Sequence, residues 1–192
     1  MVYYLNYLFS AIFVILLFIF PIAFEYIFYK KNKVNTKEKF WKQFFQKYGL
    51  AKFRYSYLLW GFLLSLGIFA LNIIFVTLSS IFFPQSISSV TTGLAKEFLI
   101  SPIFFSIFLL VSAIAEEFFF RAFLTSYIGI FFATVIFALM HYSYGSVLEI
   151  VGAFILGLVF AIIWKKTNNF YIIAIAHFLQ NLCSILLLLK GF

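Results

Sequence analysis

A chain of 192 residues that is 65% hydrophobic and 10% charged, with a mean hydropathy of +1.09, carries more apolar surface than one water-soluble core can bury, which excludes an ordinary globular domain. The net charge of +8 does not point to nucleic acid, because residues 30–54 hold nine Lys or Arg against Glu38 and account for all of it. All six acids are Glu, so any carboxylate chemistry must draw on Glu25, Glu38, Glu97, Glu116, Glu117 or Glu149, and the single Cys183 excludes an internal disulfide and reads as a buried apolar residue.

The expected fold is all-α: residues 1–192 form one integral membrane domain, a polytopic bundle of about six spans of about 20 residues each, with an interfacial amphipathic helix. The first span, residues 1–24, is uncharged and lacks both a basic lead and a small-residue cleavage site, so it is expected to stay attached as a span. The basic segment 30–54 should then face the cytoplasm and its anionic lipid leaflet. Within it, Phe40, Trp41, Phe44, Phe45 and Tyr48 alternate in pairs with Lys39, Lys42, Gln43, Gln46 and Lys47, the periodicity of a helix lying in the membrane interface.

The second span covers about residues 57–83 and stops at Pro84, and the turn-like stretch 85–93 is expected outside. The third starts near Phe98 and passes Glu116, Glu117 and Arg121 before a turn near residues 127–129; at roughly 45 Å it must tilt or project. The fourth, 130–142, is short for a full crossing; the fifth, 147–164, and the sixth, 170–189, are separated by Lys165 and Lys166, which belong on the side of the basic loop. Ala153, Gly157 and Ala161 recur every four residues on the fifth span, a face for close helix packing that also carries Glu149. Residues 1–97 thus supply N-terminal spans and the basic loop, and 98–190 a helical core that holds every polar residue of chemical interest.

Ionisable groups inside a span are costly and demand a partner, a wet cavity or a function. On an α-helix Glu117 and Arg121 lie about 40° apart and can pair, whereas Glu116 and Arg121 differ by about 140° and Glu116 is left over, as a general base would be. His141 ends the fourth span, and His177 and Asn181 stack on one face of the sixth. Counted from the turn at 127–129, Glu116 and His141 both lie roughly 18 Å away along their helices, so the two can share a depth, with tilt bringing His177 to the same level. No activated nucleophile accompanies them: Cys183 faces away from His177, and Ser184 is about two turns distant. A carboxylate, two imidazoles and an amide suit water activation, with Glu116 and His141 taking the proton and His177 and Asn181 donating to an oxyanion. The alternative is Zn²⁺ held by Glu116, His141 and His177 from three helices, since no His-Glu-x-x-His helix occurs.

Glu116-Glu117-x-x-x-Arg121, Phe137-x-x-x-His141 and His177-x-x-x-Asn181 together resemble the three-motif signature of the CPBP family, which includes type II CAAX prenyl endopeptidases and bacteriocin-processing or self-immunity (Abi) proteins. The similarity extends over about residues 98–189, including Gly157 and the turn 167–169. It implies a catalytic Glu116 working with His141, an oxyanion site of His177 and Asn181, and supporting roles for Glu117 and Arg121. The implied activity is intramembrane cleavage of a lipidated (prenylated) or membrane-inserted peptide; the alternative is a non-catalytic self-immunity protein that binds a bacteriocin or its receptor. The interval of 25 residues from Glu116 to His141 is short for the family, and the chain has fewer spans than the eukaryotic-type prenyl proteases, which bears on substrate more than on catalysis. A transport pathway lacks the paired helix breaks of such folds.

Overall fold

Long apolar runs in lipid can satisfy their backbone N–H and C=O groups only within helices, and the computed structural model, which describes residues 2–31, 37–50, 52–82, 98–144 and 146–189, is helical with no strand over those residues. In chain order these are α1 (Val2–Lys31), α2 (Lys37–Lys47), α3 (Ser56–Phe82), α4 (Pro102–Glu116), a π-helical segment (Glu117–Leu124), α5 (Thr125–Met140), a 3₁₀ turn (His141–Tyr144), α6 (Val147–Thr167) and α7 (Phe170–Leu189). The polar stretch 85–93, with Glu97 and Lys33, lies outside the described residues.

Among the described residues, five helical stretches are long and apolar enough to cross a membrane: Phe9–Lys30, Ser56–Phe82, Pro102–Ser143, Val147–Thr167 and Phe170–Leu187. The chain is an integral membrane protein, with five such stretches where the sequence predicts six spans. The difference lies at Gly129, whose φ of 80° and ψ of 171° break the 42-residue stretch Pro102–Ser143. Only glycine takes such a conformation without steric cost. A straight helix of that length would run about 63 Å, twice a hydrocarbon core. Instead the chain folds back: Arg121 and Phe137, each eight residues from Gly129, meet with the guanidinium carbon 3.7 Å from the ring centre. The returning arm, from Ile130 to Met140, is only about 16 Å long and leans on its neighbours rather than crossing by itself.

The stripe predicted on α2 exists, and it faces protein as well as lipid. Phe40, Phe44 and Tyr48 are buried in an aromatic cluster with Phe118, Phe123 and Phe170, while Trp41 and Phe45 stay exposed. Its far end docks on the α6–α7 turn, where Phe170 N–H donates to the Gly49 carbonyl and Asn168 Nδ2 to that of Gln46. The C-terminal end of α2 and Lys165-Lys166 therefore share one end of the bundle.

Glu25 of α1 ties this end together. Its Oε1 accepts from Lys47 Nζ at 2.5 Å, from the Tyr127 hydroxyl at 2.5 Å and from the Tyr48 hydroxyl. Burial, the largest single influence, would lower the Lys47 ammonium, but its hydrogen bonds to the Glu25 carboxylate and Tyr127 together with the carboxylate's charge outweigh this and hold it above its ordinary range. Tyr48 is pushed up by burial and by the same carboxylate. Both groups hold their protons more tightly folded than unfolded, so their contribution is complete below about pH 10 and is lost as pH rises through the raised folded values. Lys47 is 41% exposed and screened, so Tyr48 carries the larger share. Thermal unfolding followed by circular dichroism should be flat from neutral pH to about 9 and fall above about 10. Glu25→Gln should flatten that fall; an unchanged alkaline slope would show that the cluster does not contribute.

Candidate active site

Pro102, pre-set for helix at the first position and needing no N–H bond there, opens α4 after Ser101. At Glu117 the helix widens into the π form, in which N–H groups bond five residues back. The Thr125 hydroxyl donates to the Phe120 carbonyl at 2.8 Å and Ser126 to that of Ala122 at 2.7 Å, holding carbonyls that lipid could not satisfy. This corrects the regular 100° step assumed for residues 116–121. The π-helix places the second glutamate and the arginine in the interior together.

Glu117 is 0% and Arg121 2% exposed, the most buried charges in the described structure. Arg121 Nε lies 3.3 Å from Glu117 Oε2, close enough for an ion pair though not aligned as a hydrogen bond. The predicted pairing of these two is present, and Glu117 has a second partner that the sequence reading did not foresee: its Oε1 is 2.8 Å from His177 Nδ1. The guanidinium rests on the Phe137 ring, and His177 stacks on Phe160 at 5.4 Å between ring centres. Phe160 was missed, because nothing local sets it apart from the other Phe residues, 31 in all.

Gly157 lets α6 approach this core. A Cβ there would stand 3.0 Å from Phe137 Cδ1, 3.2 Å from Arg121 Nη2 and 3.3 Å from Thr134 Cγ2. The small-residue face is thus the wall behind the arginine, with Ala153 and Ala161 buried beside it. Gly157→Val should cost about 2 kcal/mol by overpacking and displace Arg121 or Phe137. The melting temperature reads the first, and a change in the near-ultraviolet aromatic spectrum the second.

Glu116, half-buried, presents Oε2 3.9 Å from His177 Nε2, so one imidazole spans the two glutamates. His141 sits in the 3₁₀ turn with Nδ1 3.0 Å from the Phe137 carbonyl and its ring 4.7 Å from the Phe137 ring, which also contacts His177 at 6.5 Å. A carbonyl can only accept, so the proton of neutral His141 is on Nδ1; against an ionised Glu117, His177 likewise donates from Nδ1. Asn181 lies one turn beyond His177, half-buried. Cys183 is exposed, not buried as expected, and Ser184 accepts from Gln180 at 3.3 Å. Among the described residues no three His, Cys or Glu side chains are gathered as a metal ion needs.

An ion pair and an imidazole locked in a protein interior, beside a second, more accessible carboxylate, are costly groups to hold inside a span and mark the candidate functional site. Residues 98–183 match the family model for type II CAAX prenyl endopeptidase Rce1-like proteins. No curated protein and no solved structure matches the chain. The matched segment contains Glu116, Glu117, Arg121, His141, His177 and Asn181, and it leaves α1 to α3 outside. Over this helical core of residues 98–183, a little under half of the chain, the protein is similar to the Rce1-like type II CAAX prenyl endopeptidases.

Proposed function

We propose that the chain is an intramembrane endopeptidase that hydrolyses a peptide bond in a prenylated or membrane-inserted peptide, using water activated at Glu116. The observation that carries this is the placement of His177: Nδ1 on Glu117, Nε2 toward Glu116. A gap of 3.9 Å is too long for a direct hydrogen bond and suits a shared water or substrate oxygen. Glu116 takes a proton from water, with His141 assisting, as the water oxygen attacks the peptide carbonyl carbon. The oxyanion accepts from His177 Nε2–H and the Asn181 amide. Collapse breaks the C–N bond, and the amine leaves with the proton from Glu116. Glu117 and Arg121 hold the imidazole in place; with His177 protonated, the charges of Glu116, Glu117, Arg121 and His177 cancel, which suits a low dielectric.

The Nδ1 bonds of both imidazoles are also those that orient metal-bound histidines. The dispersed ligands favour the ion-free reading over Zn²⁺ on Glu116, His141 and His177. The shared basic end supports an orientation with α2 and Lys165-Lys166 toward the cytoplasm, and in this reading the protein sits in the cell membrane and its substrate arrives through the cytoplasmic leaflet.

The test is cleavage of a quenched, farnesylated CAAX-type peptide by the purified chain in detergent, with and without phenanthroline. Cleavage untouched by chelator is expected. Inhibition reversed by Zn²⁺ would reassign the three residues as ligands, and no cleavage by folded protein would remove prenyl peptides as substrate.

A further inference from the structure

We infer that α1 and α2 together form a binding site for one anionic phospholipid, outside the catalytic core. Ile19, Ile22, Ala23 and Tyr26 form one stripe of α1 at helical spacing, and with Phe40 and Trp41 of α2 they line an apolar notch of about 280 Å³. Tyr26 and Phe40 meet edge to face at 5.5 Å, and Trp41, 40% exposed, forms the outer wall. The stripe ends in charge. Lys30 follows Tyr26 by four residues on α1, and Lys37 precedes Trp41 by four on α2, so each stands one turn from the notch on the face that lines it; both are exposed.

The dimensions suit a lipid. From Ile19 to Lys30 is a rise of roughly 16 Å, the hydrocarbon thickness of one leaflet. A chain lying in the notch would put its phosphate beside the two ammonium groups. The neighbouring acid does not oppose this: Glu25 is consumed by Lys47, Tyr48 and Tyr127, and Glu38 lies about 100° around α2 from Lys37. Charge complementarity therefore selects an anionic head over a zwitterionic one. The site is independent of whether the core cuts peptides.

Trp41 is the reporter. The chain is placed in phosphatidylcholine bilayers containing a minor fraction of phosphatidylglycerol, with brominated acyl chains on one lipid or the other. The Trp41 signal is the difference between the wild-type chain and Trp41→Phe. Brominated phosphatidylglycerol should quench it with a preference on the order of 25-fold over phosphatidylcholine, from roughly 1 kcal/mol for each lysine at a membrane surface. Lys30→Gln with Lys37→Gln should remove most of that preference, Lys30→Arg with Lys37→Arg should keep it, and unchanged melting should show both variants folded. Equal quenching by the two lipids would mean boundary lipid only and overturn the proposal. So would a preference that survives the double Gln change, or a Trp41 shielded from both lipids by a second copy of the chain.

Discussion

Glu116→Gln is expected to lower the rate of peptide cleavage by roughly 10²–10⁴-fold, the range for loss of a general base, with little change in melting temperature. The side chain is 24% exposed and approaches His177 at 3.9 Å, while Arg121 keeps Glu117 as its close ionic partner, so an amide of the same shape leaves no buried charge stranded. The loss should fall on kcat, because the proton transfer occurs in the transition state and not on binding. His177→Ala should be equally inactive but less stable, since it deprives the buried Glu117 of its hydrogen bond. A Glu116→Gln enzyme that retains more than about a tenth of wild-type kcat would remove Glu116 as the base.

Glu117→Gln should instead be a folding defect of about 3–5 kcal/mol, because the Arg121 guanidinium, 2% exposed, loses the carboxylate opposite it. Arg121→Met should cost a similar amount for the reverse reason. The double variant Glu117→Leu with Arg121→Met leaves neither charge stranded and should recover much of the loss, as apolar replacement of buried pairs commonly does. It should remain inactive, because His177 Nδ1 no longer has the carboxylate that fixes its orientation. Denaturation of the two singles and the double in one detergent closes the cycle. If the double loses the sum of the singles, the pair is not coupled and the account of the ion pair fails.

Much of this architecture was legible in the sequence, because composition and local periodicity act locally. Apolar runs without charges must be helices in lipid, and the charge excess of residues 30–54 marks one end of the bundle. Counting at 1.5 Å per residue from a turn at residues 127–129 predicted that Glu116 and His141 can share a depth, and the structure has the break in the helix at Gly129. The cost of a buried ion singled out Glu116, Glu117 and Arg121, and the four-residue interval predicted the pair the structure shows.

Tertiary structure alone decided which groups touch across helices. The Glu117–His177 bond spans 60 residues and the Glu25–Tyr127 bond 102, and neither leaves a local pattern. Both depend on how each helix is rotated and how near it comes, which here is set by the π-helical widening at Glu117, the missing side chain at Gly157 and the fold-back at Gly129. The sequence predicted six spans because an apolar arm of eleven residues looks the same whether it crosses or returns. It predicted an interfacial helix, but not that Phe40, Phe44 and Tyr48 would dock on the core, because an apolar face is equally satisfied by lipid and by protein. Periodicity fixes the face and depth of a side chain; its partner is chosen by packing between helices distant in the chain, where shape decides and composition cannot.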